Sequence, residues 1–451
     1  ESLLLSATLE QEINETFSFT ASIRHQDSES VYQYHQPIGY SVAAPYFFFL
    51  PVDFSNPFGP TLGDLGFPLL QQPGDVYQLG YKADKTLDIL GVNAILKAEG
   101  KFAGLDHTAQ LGIDYFDVDS EDDRPSDPVL ESLFGRVSGY FFTFTSTNLL
   151  NPVANASPTV PSTTEFRDAS AEQIGFFFSD VIRHDNLIAS FNLRYDQFDE
   201  EFMPMHPTLG DSLASEDEHD DFTFDAGFLY EFENGVSPYY SYAESFTPNG
   251  QDQSGNPIDP NEGSQHEIGI KFVSENGNTM LNAALFSIDE ENRVLENSVP
   301  ATTIDAEYEG FELSARHRIN DFMLSASYSI VDTEQKGEFA TVEYVPYVPD
   351  QLANLWLNYV PSSGSLEGFN AGFGSRYIGS AYSESNASET ASYTLFDFML
   401  SYGVGVFDLQ LNVNNLTDKD YTVAISDGGI LGGSSYDGPG RFTSVSAAFR
   451  F

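Results

Sequence analysis

Along most of the chain, apolar and polar residues alternate with a period of two, in stretches of roughly 10 residues. In 187–195, Leu187, Ala189, Phe191, Leu193 and Tyr195 fall on one side of an extended backbone, and Ser190, Asn192 and Arg194 on the other. Residues 407–413 repeat this, with Phe407, Leu409, Leu411 and Val413 against Asp408, Gln410 and Asn412. Residues 322–330 set Phe322, Leu324, Ala326, Tyr328 and Ile330 against Ser325, Ser327 and Ser329. Each such segment predicts a β-strand with one greasy and one wet face.

Seventeen strands are predicted, near 2–10, 16–33, 85–99, 107–118, 164–180, 187–200, 221–233, 236–247, 263–274, 278–291, 303–317, 322–334, 349–361, 367–379, 393–403, 406–415 and 441–451. A soluble antiparallel sheet and a membrane barrel both give this pattern, and the connections separate them. Short turns such as Glu233-Asn234-Gly235, Asn320-Asp321 and Gly403-Val404-Gly405 interleave with long polar segments at 34–84, 119–163, 201–220, 380–392 and 416–440. That asymmetry belongs to an outer-membrane barrel, with short periplasmic turns and long external loops. The predicted fold is therefore all-β: a transmembrane antiparallel up-and-down β-barrel. Such a barrel needs an even number of strands when both ends lie in the periplasm. An odd count with a descending last strand makes the first strand descend too, so at least one ascending strand is expected before Glu1, with 1–451 the partial barrel.

Composition narrows the function. The chain holds 68 acidic and 19 basic residues, a net charge of −49, which excludes a phosphate-tracking nucleic-acid surface. Aromatic residues at 14% oppose the disorder that such charge would otherwise suggest. With no cysteine, a disulfide framework, a thiolate nucleophile and Cys-ligated metal sites are all excluded. The longest apolar run, 42–52, contains Pro45 and Pro51, so no segment reaches the length of a membrane helix. No Gly-x-Ser-x-Gly, His-Glu-x-x-His or Walker pattern occurs, and no enzyme is expected.

Five segments in order resemble the TonB-dependent ferric-siderophore receptors of Gram-negative outer membranes. These are EQIGFFFSDVIRHDNLIASFNLRYDQF (172–198), GVSPYYSYAESFTPNGQDQSGNPIDPNEGSQHEIGIKF (235–272), AEYEGFELSARHRI (306–319), YVPDQLANLWLNY (347–359), and NVNNLTDKDY (412–421) with GPGRFTSVSAAFRF (438–451). The resemblance implies a cell outer-membrane protein with a barrel of roughly 22 strands, of which about 17 are visible here, filled by an N-terminal plug domain absent from this sequence. It implies a ferric siderophore as ligand, bound at the extracellular face, with the iron carried as a siderophore complex and no cofactor. It also implies import energised by the TonB-ExbB-ExbD complex through the absent plug, and contact with outer-membrane lipid and the barrel-assembly machinery. Another ligand, a cobalamin or a glycan, stays open, as does an unplugged pore or adhesion barrel.

Siderophore recognition calls for aromatic groups at the external mouth. Tyr46, Phe47, Phe48 and Phe49 in the segment 34–84, and Tyr140, Phe141 and Phe142 in 119–163, are the candidate ligand contacts; packing of loops on one another or on a plug is the alternative. Two acidic clusters are placed in external loops: Asp117, Asp119, Glu121, Asp122, Asp123, Asp127 and Glu131, and Asp211, Glu216, Asp217, Glu218, Asp220 and Asp221. They would bind divalent cations, focus a negative field or stand as solvated loop charge. Arg194, Asp196, Glu267, Lys271, Glu312, Arg316 and Arg376 are expected on the wet inner face, and no metal site is expected. The chain ends on an amphipathic strand whose Phe449 and Phe451 resemble the aromatic outer-membrane insertion signal.

Overall fold

The computed structural model describes residues 2–40, 75–125, 140–148, 164–205, 214–250, 257–294, 302–337, 342–427 and 434–449. The strands are β1 (Ser2–Glu12), β2 (Phe17–Tyr40), β3 (Asp75–Phe102), β4 (Leu105–Pro125), β5 (Tyr140–Asn148), β6 (Thr164–His184), β7 (Leu187–Met205), β8 (Ser215–Tyr230), β9 (Val236–Thr247) and β10 (Asn261–Val273). They continue as β11 (Thr279–Val294), β12 (Thr303–Ile319), β13 (Phe322–Lys336), β14 (Gln351–Tyr359), β15 (Phe369–Ile378), β16 (Tyr393–Val404), β17 (Phe407–Asn414), β18 (Thr422–Ser426), β19 (Ser434–Asp437) and β20 (Phe442–Phe449).

Among the described residues, eighteen strands form one antiparallel sheet, and β18 and β19 make a separate hairpin. All seventeen predicted strands are present; the eighteenth is β5, which the sequence reading left inside a loop. Strands pair in chain order, except that β4 pairs with β6 and β17 with β20, while β5 adds to the upper part of β3. Among the described residues, β1 pairs only with β2 and β20 only with β17.

Local chemistry fixes the turns at the lower rim. β12 and β13 meet through Asn320 and Asp321, and Asn320 holds φ 50°, a left-handed conformation that asparagine tolerates. Gly235 closes β8 to β9 at φ 83°, where a Cβ would lie 2.1 Å from the Val273 carbonyl oxygen.

Above these turns the two faces diverge as the alternation predicts. Leu111, Ile113, Phe176, Phe178, Leu193, Phe228, Ile268, Ile270, Leu285, Leu313 and Phe373 stand exposed on one face. In water such a belt would be a large aggregating patch; against lipid it is the anchoring surface, with the backbone groups between paired strands satisfied by the ladder. The other face, the inner one, carries Asp114, Arg194, Glu267, Glu312 and Arg376.

Several strands run well beyond this belt. β4 and β6 stay paired up to Pro125 opposite Thr164, and β6 and β7 up to Phe166 opposite Met205. On β4 both faces are polar from Asp119 to Arg124, so the period-two signal fades there although the hydrogen-bonded ladder continues.

Candidate functional site

The inner face is built by side chains that cross between strands. Arg194 on β7 reaches over β6 to Asp114 on β4, donating two bonds of 2.8 and 2.9 Å, and it donates two further bonds of 2.6 Å to Asp196. Gly175 on β6 makes this reach possible, since a Cβ there would lie 2.2 Å from the guanidinium. Gln173 completes the Asp196 carboxylate at 2.7 Å. A charged fork shared between two carboxylates is the geometry that orders an arginine, so this network ties β4, β6 and β7 together from inside.

A second device recurs around the same face. Phe177, Tyr239, Phe286 and Trp356 each lie flat over the directly opposite glycine of the next strand, Gly112, Gly269, Gly310 and Gly374. An added Cβ would sit 2.0 to 2.5 Å from ring atoms at these positions. The rings therefore cover backbone that would otherwise be bare. Trp356 donates its indole N–H to Asn358 at 2.9 Å and faces a cavity of about 690 Å³ that Lys271, Arg316, Arg376 and Asp397 also line. Lys271 sits 4.6 Å from the Tyr239 ring centre, and Arg376 pairs with Asp397 at 3.0 Å. The lumen wall here is cationic and aromatic, unlike the rim above it.

The upper extensions of β4, β6, β7 and β8 concentrate carboxylates. Asp117, Asp119, Glu172, Asp199, Glu201, Glu216 and Glu218 surround one depression of about 350 Å³. Burial and the nearby Asp217 carboxylate push the Glu200 carboxyl up from its ordinary value, with His219 partly opposing. Burial, then Asp84 and Glu121, does the same to Asp123. Repulsion from neighbouring carboxylates thus adds to burial in raising Glu200 and Asp123.

On the opposite half of the rim, three connections are stapled together. The Glu384 carboxylate accepts the Ser426 hydroxyl at 2.6 Å and the Asp427 backbone N–H at 2.9 Å. Asp427 in turn accepts the hydroxyl of Ser383, the hydroxyl of Ser385 at 2.8 Å and the Ser385 N–H at 3.2 Å. Asn386 extends the staple to 342–350, accepting the Tyr344 N–H at 2.8 Å, while Tyr344 stacks on Tyr382 at 4.6 Å and 6°. Ser383 is only 1% exposed and Val345 2%, so this clasp has a small core of its own. The hydroxyl of Ser383, with further bonds from Ser385, holds Asp427 below the ordinary carboxylate range. For Glu384 burial acts upward, and the bonds from Ser426 and Tyr347 outweigh it, so this carboxyl too is held low.

The candidate residues read from the sequence fall unevenly on this map. Tyr46, Phe47, Phe48, Phe49 and Phe451 lie outside the described residues. Tyr140, Phe141 and Phe142 are not in a loop: they begin β5, opposite Tyr81, Gly80 and Leu79 of β3. The first acidic cluster is likewise on β4 from Asp117 to Asp123, and the second on β8 from Glu216 to Asp221. Strand pairing continues above the membrane because an antiparallel ladder needs backbone partners, not an apolar face. Phe449 stands on the exposed face of β20, its ring 5.1 Å from that of Phe407. The clasp was not anticipated; Ser383, Glu384, Ser385 and Asp427 read as ordinary loop polarity, and nothing local links 383 to 427.

Comparison with known proteins fits this architecture. Residues 3–416 match the family described as TonB dependent receptor-like, beta-barrel. The chain is 32% identical to the ferrioxamine B receptor of Salmonella typhimurium over 71% of its own length and 45% of that protein's. It is 28% identical to the ferrichrome outer membrane transporter/phage receptor of Escherichia coli over 76% of its length and 46% of that protein's. It therefore spans under half of each of these relatives. The siderophore receptor PiuA from Acinetobacter baumannii superposes with a TM-score of 0.75 at 22% identity, over 99% of this chain and 64% of that one, which speaks for the fold. The apolar belt, the up-and-down ladder and the family match agree: the chain belongs to the TonB-dependent receptor β-barrel family of the Gram-negative outer membrane, a family of receptors and not of enzymes.

Proposed function

We propose that this chain forms the wall of an outer-membrane receptor that takes up a ferric siderophore at its external face and imports it with energy from TonB. The observation that carries this reading is the 32% identity, over 71% of the chain, to a protein named a ferrioxamine B receptor. The acidic rim adds a preference: a field from Asp117 to Asp123 and Glu216 to Asp221 disfavours anionic chelates and favours neutral or cationic ones. Tyr140, Phe141 and Phe142, raised on β5, are the aromatic groups proposed to meet the ligand, together with Tyr46 to Phe49.

The same reading assigns partners. Further strands between the unpaired edges of β1 and β20 complete the barrel, because an open edge in lipid leaves backbone groups unsatisfied. A plug carries the coupling to TonB, and Phe449 with Phe451 serves the barrel-assembly machinery as an insertion signal. The test is iron-limited growth of a deletion strain fed a panel of iron chelates. Rescue by ferrioxamine B or ferrichrome and not by a ferric tris-catecholate is expected. Growth that follows a cobalamin or a glycan, with no chelate dependent on the gene, would overturn the siderophore reading.

A further inference from the structure

The ladder between β8 and β9 comes apart. The two strands pair from Leu229 opposite Tyr239 to Ala226 opposite Tyr242, and no further. Each arm stays bound to its other neighbour: β8 follows β7 up to Ser215 opposite Phe202, and β9 follows β10 up to Thr247 opposite Asn261. At the crotch, carboxylates replace the missing rung. The Phe224 N–H donates to Glu244 at 2.9 Å and the Glu244 N–H donates to Asp225 at 3.2 Å. A cleft of about 220 Å³ opens there, lined among others by Thr223, Tyr242, Glu244 and Glu262.

The direction of the Phe224 N–H settles which groups face the gap. Backbone groups alternate sides along a strand, so the even-numbered residues of β8 point away from β7. Glu216, Glu218 and Asp220 therefore turn their N–H and C=O toward the gap, above the exposed Phe222 that tops the apolar belt. Among the described residues no strand pairs with β8 on this side above Ala226. An edge of this kind is a template for an added strand.

We infer that this edge of β8 receives an extended basic peptide as an added strand. Main-chain bonds to Glu216, Glu218 and Asp220 hold it, and lysine or arginine side chains at alternate positions meet the carboxylates of these three residues on one face. Charge selects the occupant. The side chains of Glu216, Glu218 and Asp220 flank the edge on one face and Asp221 on the other, where Asp217 is buried against His219, with Glu244 and Glu262 across the cleft. A second copy of this chain pairing edge to edge would set like charges directly opposite one another.

The test measures binding of two fluorescent heptapeptides to the purified protein in detergent micelles. One alternates lysine with threonine; the other is its analogue methylated at every backbone nitrogen, keeping the charge but with no N–H to donate to a ladder. The lysine–threonine peptide is expected to bind at least tenfold more tightly. Combining Glu216→Gln, Glu218→Gln and Asp220→Asn is expected to weaken it at least tenfold. Glu218→Pro removes one edge donor without touching the β7 ladder and is expected to do the same; if that variant does not fold, the two peptides decide alone. Equal binding of both peptides would reduce the site to charge attraction and overturn the inference, as would no binding of either, or unchanged binding by the triple variant.

Discussion

Two parts of the rim carry carboxylates above the membrane belt and treat them in opposite ways. On β4, β6, β7 and β8 the carboxylates stand beside one another, and Glu200 and Asp123 are raised by burial and by their neighbours. In the clasp formed by 342–350, 379–392 and 415–427, Glu384 and Asp427 each collect several donors and are held low. The wall keeps its shape through a backbone ladder and tolerates repulsion; the clasp has little ladder and depends on its carboxylates. Charge is thus a load on one region and the fastening of the other.

The largest effect follows from removing the fastening. Replacing Glu384 and Asp427 together by alanine is expected to speed external proteolysis within 379–392 by about tenfold or more, because both carboxylates lose the charge-assisted hydrogen bonds that close the clasp. Cleavage within β4 to β8 should stay unchanged. Equal loosening of both regions would mean that the clasp braces the wall, and the contrast would fall.

Acidification should move the two regions in different directions. A carboxyl whose folded pKa is raised destabilises the folded state at neutral pH, and that penalty is relieved as pH falls through the raised value. Protection of the β7 and β8 extensions from hydrogen exchange should therefore rise as pH is lowered from 7 toward about 4, the ordinary carboxylate value. A carboxyl held low stabilises above its unfolded pKa and loses that contribution as pH falls through the depressed folded value. The clasp should hold across this window and loosen only below about pH 4. Exchange measured by mass spectrometry at several pH values would show whether the two curves diverge.

These differences bear on what the sequence reveals. Inside the belt, lipid on one side and a wet lumen on the other impose alternation, so 187–195, 322–330 and 407–413 announce their strands. Above the belt both faces are wet. Asp117 to Asp123 and Glu216 to Asp221 then look like loop while belonging to β4 and β8. Tyr140 to Phe142 look like loop for a related reason, since their partner is the upper part of β3 and not a neighbour in the chain. The clasp is the extreme case: Ser383 and Asp427 meet across 44 positions, a separation that no local pattern encodes. Trp356 is the single tryptophan of the sequence, but the glycine it covers, Gly374, sits on another strand, which no local pattern reveals.

Single neutralisations should separate the regions by sign. Glu200→Gln relieves repulsion from Asp217 and is expected to raise stability by roughly 0.5 kcal/mol, discounted for its partial exposure. Glu384→Gln loses charge-assisted bonds and should lower clasp protection instead. Thermal unfolding in micelles reads the first and local hydrogen exchange the second. Two changes of the same sign would place both sites in one electrostatic environment.

Salt offers the gentlest probe. At about 0.01 M ionic strength the Debye length is roughly 30 Å, which lets the carboxylates along β4, β7 and β8 feel one another; at about 1 M it is roughly 3 Å. Raising sodium chloride across that range should stabilise the wall by a few tenths of a kcal/mol and leave the clasp, whose bonds span 2.6 to 3.2 Å, nearly unmoved. Calcium at matched ionic strength sharpens the point. Among the described residues no cluster has the geometry to hold a metal ion, so calcium should act as a screening cation and reproduce the sodium curve. A saturable calcium step in unfolding temperature, absent with sodium, would show that the acidic wall organises a cation, making its carboxylates a fastening after all and erasing the contrast with Glu384 and Asp427.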